Sequence, residues 1–180
     1  MQRLYRTIAV DDSVIQRGAS NVPVNPIPKD YLATPYLICR NAAAALDWYS
    51  KAFNATVVMR LADDSGKIMH AEVRIGKSPV MLADEFPDMG YISPAALGGS
   101  PVSILVYVNN VDATFAHAVE MGAKQIMAVS DQFDGDRRGT LCDPYGHVWL
   151  LASRKEEISK SEMKLRFDRL IHGGEPHEDS

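Results

Sequence analysis

Apolar and polar residues follow two different periodicities in the first half of this chain, one typical of strands and one typical of a helix. The stretch TPYLIC, from Thr34, is short and apolar, as in a strand, whereas AAAALDWYSKAF (42–53) places Leu46, Tyr49 and Phe53 on one helical face. The runs ATVVMRL, IMHAEVRI and VMLAD follow, separated by turn residues, and each is typical of a strand. The pattern predicts one strand, one helix and three more strands over residues 34–84.

The same order of elements returns later in the chain. VSILVYV predicts a strand, VDATFAHAVEMG predicts a helix that ends at Gly122, KQIMAV predicts a strand, and RGTLCD with HVWLLA predicts a hairpin. This second unit covers residues 102–152.

An offset of 69 residues relates the two units. YLICRN (36–41) aligns with LVYVNN (105–110), and VMLA (80–83) aligns with WLLA (149–152). One unit alone leaves a sheet face uncovered, so two units must pair, either within a chain or between chains. The repeat predicts an α+β fold of two βαβββ units.

The flanks of this domain (31–153) have a different character. Residues 1–30 contain the proline-rich stretch VPVNPIP and predict an extended N-terminal arm. Residues 154–171 predict a charged C-terminal helix with one apolar stripe, and residues 172–180 predict a disordered tail.

Composition narrows the class of protein. The chain has 180 residues, 46% hydrophobic and 23% charged, which indicates a globular domain. A net charge of −4 without a basic block argues against a nucleic-acid partner, and no apolar run is long enough to span a bilayer. The N-terminal sequence is unlike a secretory signal. Cys39 and Cys142 lie in apolar runs and are predicted to be buried and reduced, so we expect a cytoplasmic protein.

Several motifs occur along residues 34–153 in an order that resembles a known superfamily. They are TPYL (34–37), AAAALDWYSKAF (42–53), MHAEVRIGKSPVMLADEFP (69–87), Asp112 in VDATFAHAVEMGA, DQFDGDRRG (131–139) and DPYGHVW (143–149). With the doubled βαβββ plan, they resemble the vicinal oxygen chelate superfamily, which includes glyoxalase I, bleomycin-resistance proteins and extradiol dioxygenases. The motifs are most similar to its PhnB-like branch.

The resemblance implies a curled mixed β-sheet cup flanked by helices. Enzymes of the superfamily hold a divalent metal there with His, Glu or Gln on four strands. Carried over by position, those four places are Thr34, Met81, Ser103 and Leu150. Two are hydroxyls, one is a thioether and one is aliphatic, so the usual metal site is expected to be absent. We therefore predict no cofactor, with a divalent metal elsewhere left as an open alternative.

Strand alternation predicts which side chains face the cup. It places Met69, Val102 and His147 toward the helices. The cup is predicted to be lined by Thr34, Tyr36, His70, Glu72, Met81, Ser103, Leu105, Tyr107, Val148 and Leu150. Such an apolar and aromatic lining with few polar groups is typical of a small-molecule pocket, although a filled core remains an alternative.

Two further groups of residues are candidates for chemistry. His70 and Glu72 form the one pair that resembles an acid–base device, although an exposed, salt-bridged strand face with Arg74 is the commoner outcome for such residues. In the loop 131–139, Phe133, Asp136 and Arg137 could gate the cup or bind an acidic ligand, or fix the loop by hydrogen bonds.

Three functions are compatible with this sequence. The first is a metal-free protein that binds a small organic molecule in the cup. The second is an enzyme of the superfamily (lyase, isomerase or dioxygenase-like) that uses a site of its own around His70 and Glu72. The third is an interaction module with an occluded cup. The resemblance also implies a homodimer, because related chains often build each cup from one half of each subunit.

Overall fold

The computed structural model describes residues 33–173, so the predicted N-terminal arm and nearly all of the predicted tail lie outside the described residues. The element order within this range is strand, helix and three strands, twice, with one short helix between the two units and a final helix after them. The bounds are β1 Tyr36–Cys39, α1 Ala42–Ala52, β2 Thr56–Ala62, β3 Ile68–Ile75, β4 Ser78–Asp84, α2 Pro94–Leu97, β5 Ser103–Tyr107, α3 Val111–Glu120, β6 Lys124–Asp131, β7 Asp136–Cys142, β8 Val148–Arg154 and α4 Lys160–His172.

Each unit folds into its own four-stranded mixed sheet. The strand orders are β1-β4-β3-β2 and β5-β8-β7-β6, in which the first pair of each sheet is parallel and the other pairs are antiparallel. The expected α+β class and the doubled βαβββ plan are confirmed.

Local sequence explains where the two long helices of these units begin. Asn41 precedes α1, and its side chain accepts a hydrogen bond from the backbone of Ala44; Asn110 does the same for α3 through Ala113. Each asparagine thus satisfies one of the backbone donors that a helix leaves unpaired at its first turn. The two caps lie at corresponding positions of the repeat.

A single core joins the two units. The ring of Trp149, on β8, lies 5.5 Å from that of Tyr49 and 5.1 Å from that of Phe53, both at the end of α1. The indole nitrogen of Trp48 donates to the carbonyl of Met121 at 2.9 Å. The predicted helical face of Leu46, Tyr49 and Phe53 is indeed buried. The core therefore lies between α1, α3 and the helix-facing sides of both sheets.

Three residue-level expectations were wrong, each for a local reason. Met69 does not face the helices but is 47% exposed, because an irregularity in the pairing of β2 with β3 makes Ile68 the buried residue. Val102 is 64% exposed, because it precedes β5 and so has no strand face. Cys142 is half-buried, whereas Cys39 is fully buried; both are free thiols.

The last helix starts later than its sequence pattern suggested. Ser159 caps α4 by accepting from the backbone of Glu162, so residues 155–159 are a connection and not a helical turn. Among its apolar residues, Met163, Phe167 and Leu170 are exposed.

Candidate functional site

The faces of both sheets that point away from α1 and α3, called here the open faces, carry matching rows of residues. In the first sheet, pairing aligns Tyr36 with Met81, Met81 with Glu72, and Glu72 with Met59. In the second, it aligns in the same order Leu105, Leu150, Thr140 and Met127. Four of these eight residues are exposed and apolar, namely Tyr36, Met59, Leu105 and Met127.

The four positions that hold a metal in related enzymes do not provide the donors that a divalent metal prefers. Tyr36 and Leu105 neighbour Met81 and Leu150, two of the four positions that hold a metal in related enzymes. Thr34 and Ser103 occupy the other two, and the buried hydroxyl of Thr34 has no hydrogen-bond partner within residues 33–173. Across that same range, no group of three or more His, Cys, Asp or Glu residues could hold a metal ion. The residues present do not fit the metal of the superfamily.

A cavity of about 520 Å³ lies between β1 and β5, and we call it the seam cavity. Tyr36, Ser103 and Leu105, three of the residues predicted to bind a ligand, line it. The segment between the two units completes its wall with Ile92, Pro94 and Leu97. Its volume and apolar lining are in the range of small-molecule sites.

His70 and Glu72 lie on the open face of β3, and neither lines the seam cavity, although His70 contacts Tyr36, which does. The hydroxyl of Tyr36 and Nδ1 of His70 are 2.9 Å apart and share a hydrogen bond, and the two rings lie 5.7 Å apart. Burial, followed by the neighbouring Tyr91, raises the pKa of Tyr36 above its ordinary value, so this phenol keeps its proton. Glu72 is buried on the same face of the strand.

Tyr107 belongs to a different cluster at the far end of β5. Its hydroxyl donates to the buried carboxylate of Asp136 at 2.6 Å, and Arg154 donates to both groups. Tyr107 lines a second cavity of about 640 Å³, between β5 and the ends of α1 and α3, and not the seam cavity. Asp136 is neutralised by Arg154 and by Arg138, which lies 3.7 Å away, so this cluster reads as a closed ion-pair network.

The loop residues predicted to gate the cup make other contacts. The ring of Phe133 lies 5.3 Å from that of Phe167 on α4. Arg137 donates two hydrogen bonds to Asp112 and one to Asp131, and its bonds to Asp112 lower the pKa of that carboxyl. Neither residue lines the seam cavity. The arrangement is that of a loop fixed to α3 and α4.

We expected His147 to pack toward the helices and to form hydrogen bonds near the DPYG turn, which it does, but it also lines the seam cavity. It is 6% exposed, and its Nδ1 lies 3.5 Å from the carboxylate of Asp143. That carboxylate accepts from the hydroxyl of Tyr49 at 2.6 Å, the indole of Trp149 at 2.9 Å and the backbones of Tyr145 and His147. The DPYGH motif carried the signal, but strand alternation cannot be applied to a residue in the turn before β8.

The electrostatics of this turn keep Asp143 ionised. Burial would raise the pKa of Asp143, but hydrogen bonds from His147, Tyr49 and Trp149 outweigh it and hold that pKa below its ordinary value. Burial, then the Asp143 charge, raises the pKa of Tyr49 well above its ordinary value. A buried carboxylate therefore faces a protonated phenol.

Comparison with known proteins agrees with this fold. Residues 30–151 match the Glyoxalase/Bleomycin resistance protein/Dioxygenase superfamily, and the chain belongs to this family. An uncharacterized protein of Mycobacterium bovis is 40% identical over 134 residues, which are 73% of this chain and 88% of that protein.

Solved structures of low sequence identity share the fold. TioX from Micromonospora sp. ML1 has a TM-score of 0.55 at 24% identity, covering 71% of this chain and 98% of that one. The PhnB protein from Bacillus cereus has a TM-score of 0.54 at 19% identity, covering 68% and 98%. At these identities the likeness concerns the fold alone. Separately, none of the helices within residues 33–173 has the length and apolarity needed to cross a membrane.

Proposed function

We propose that this protein binds a small, largely aromatic organic molecule in the seam cavity without the divalent metal of related enzymes. The single observation that carries the proposal is the apolar cavity of about 520 Å³, which the two repeats create at their junction. The four positions at which related enzymes hold a metal support it, because Thr34, Met81, Ser103 and Leu150 are poor ligands.

The lining also argues for binding by shape. Leu105 and Tyr36 remain about half exposed (45% each), and an aromatic ligand placed between them would remove both from water. Burying apolar surface contributes about 25 cal/mol per Å², so the surface that an aromatic ligand removes from water is the main favourable contribution expected for binding.

Substitution of Leu105 tests this site. Leu105→Trp should fill the cavity and weaken binding of a neutral aromatic probe, 2-methoxynaphthalene, at least tenfold in a fluorescence titration. The matched control is Leu165→Trp on α4, since Leu165 is 46% exposed and lies outside the cavity, and it should leave binding unchanged. If the wild-type protein binds no aromatic probe at millimolar concentration, the proposed function is wrong.

A second candidate is an enzyme of the superfamily that uses His70 and Glu72. The hydrogen bond between Tyr36 and His70 favours it, since it places an imidazole and a phenol at the edge of the cavity. A divalent metal that copurifies in stoichiometric amount and is lost in His70→Ala would favour this enzyme over binding alone. An interaction module with an occluded cup is less favoured, because side chains do not fill the seam cavity, which has a volume of about 520 Å³.

Further proposals concern the branch, the assembly and the location. The order of motifs supports placement in the PhnB-like branch, and the thiols of Cys39 and Cys142 suit a cytoplasmic protein. The exposed apolar rows of the open faces support a homodimer, because a second copy would cover them. With a net charge of −4, we expect no nucleic-acid partner.

A further inference from the structure

The seam cavity contains one buried imidazole in an otherwise mostly apolar wall. His147 lines it from the turn between β7 and β8, and no lysine or arginine lines it within the described part of the chain. The function proposed above concerns the apolar body of a ligand. The imidazole of His147 concerns the polar group of such a ligand, so the inference rests on that proposed function.

The contacts of Nδ1 fix which ring nitrogen of His147 carries the proton. Nδ1 lies 3.4 Å from the hydroxyl oxygen of Tyr49 and 3.5 Å from the carboxylate of Asp143. The Tyr49 proton is already donated to Asp143 at 2.6 Å, so the Tyr49 oxygen can only accept from His147. An ionised carboxylate can also only accept. Nδ1 must therefore be the N–H donor.

A neutral imidazole with its proton on Nδ1 has a lone pair on Nε2. Within residues 33–173, Nε2 makes no hydrogen bond and is not among the buried polar atoms that lack a partner, so a molecule in the cavity can reach it. A ligand that supplies a donor to this accessible acceptor replaces water there with a hydrogen bond inside an otherwise apolar wall. Asp143 sets this polarity and is a positioning residue.

Gly146, next to His147, allows the cavity wall formed by α2 to lie close to the turn that carries His147. Gly146 has φ +95°, and a Cβ there would lie 3.0 Å from Cβ of Pro94 and 3.4 Å from the backbone nitrogen of Ala95. Glycine thus allows α2 to contact the turn that carries His147. The backbone of Ser93 also donates to Glu85 at 2.7 Å, which fixes the start of α2. The imidazole and the apolar wall are therefore held together.

We propose that His147 anchors the ligand by accepting a hydrogen bond on Nε2, and that the ligand is a phenol. A carboxylate is disfavoured, because it has no proton to donate at neutral pH and no cation lines the cavity. An aliphatic alcohol would leave the apolar walls poorly filled. A phenol joins an aromatic body to a hydroxyl donor, as the two sides of the cavity require.

A matched pair of probes tests this anchor in the full-length protein. 2-Naphthol has the donor and 2-methoxynaphthalene lacks it, with nearly the same aromatic body. Wild-type protein should bind 2-naphthol about tenfold more tightly, which corresponds to one hydrogen bond of about 1.4 kcal/mol. His147→Leu should abolish this preference and change the affinity for the methyl ether less than twofold.

Asp143→Asn separates positioning from packing. An asparagine amide that donates to Nδ1 moves the proton to Nε2, so the preference for 2-naphthol should be lost, because the oxygen of either probe can accept from Nε2–H. Circular dichroism identifies variants that fail to fold, and His147→Leu tests the anchor independently of this variant. Equal affinity of wild-type protein for the two probes, or an unchanged preference in folded His147→Leu, overturns the anchor alone. Failure of both probes to bind overturns the proposed function as well.

Discussion

At the scale of single residues, several hydrogen-bond donors of the core and of the turn before β8 depend on the carboxylate of Asp143. One buried carboxylate accepts from two side chains of the core, Tyr49 and Trp149, and from two backbone nitrogens of its own turn. Hydrogen bonds to a charged group contribute about 1.5–3 kcal/mol each, and a donor left without its acceptor costs a similar amount. The stability of the turn therefore depends on this carboxylate.

Removal of Asp143 should destabilise the fold. We expect Asp143→Ala to lower the free energy of unfolding by about 3–5 kcal/mol at pH 7, because buried donors lose their acceptor. The exposed Asp88→Ala is the control and should change it by less than about 0.5 kcal/mol. Urea denaturation followed by tryptophan fluorescence measures both. A loss below 1 kcal/mol for Asp143→Ala would show that water replaces the carboxylate.

The same carboxylate predicts a pH dependence of defined sign. The pKa of Asp143 is lowered in the folded chain, so its contribution is present above the unfolded-state pKa and is lost as pH falls through the folded value. The difference in unfolding free energy between wild type and Asp143→Ala should therefore shrink below about pH 4. A difference that stays constant from pH 7 to pH 3 would contradict the ionised state assigned here.

At the scale of elements, close packing of α3 onto β7 depends on Gly139. A Cβ at this position would lie 2.8 Å from the ring of Phe115 and 2.8 Å from a methyl group of Val129. Glycine is needed here because a Cβ would clash with these side chains, and not because of the backbone conformation. The helix thus approaches the sheet closely because this strand position has no side chain.

Gly139→Ala should overpack this contact and cost about 1–3 kcal/mol of unfolding free energy. Phe115→Leu should be tolerated better in the Gly139→Ala background than in wild type, because the smaller side chain makes room. A double-mutant cycle by thermal or urea unfolding measures the coupling. Strict additivity of the two substitutions would show that another neighbour relieves the clash.

The sequence predicted the helices, the strands and their register more completely than it predicted the site. The offset of 69 residues places Leu105 and Leu150 at the register positions of Tyr36 and Met81, and the strand pairing has this register. Periodicity failed where the ladder is irregular, as at Met69, or outside a strand, as at Val102. The place of His147 in the cavity wall could not be predicted, because that wall is completed by α2 and β1, which are distant in sequence.

At the scale of the whole molecule, the open faces have the composition of a covered surface. Met59 is 43% exposed and Met127 is 61% exposed, at matching positions of the two sheets. Exposed apolar rows of this kind are uncommon on monomers. In a two-fold dimer, the open faces of one copy would pack against those of the other copy, and the apolar rows of both sheets would be covered.

Light scattering of the purified chain should give about twice the monomer mass of 19.8 kDa. Met59→Asp and Met127→Asp should each raise the dimer dissociation constant at least tenfold, because a charge would be buried without a partner. Val119→Asp, on α3, is a control of similar chemistry outside the open faces. A monomeric mass at every concentration would exclude this homodimer.

The hydrogen bond from Tyr49 to Asp143 spans 94 residues and ties the first repeat to the turn of the second. Together with the contact of Trp48 with Met121, it places the side chains of one half inside the other. Duplicated segments of this kind could in principle unfold separately. Here neither half retains a complete interior when the other is removed, so amide hydrogens of both sheets should exchange through the same global opening.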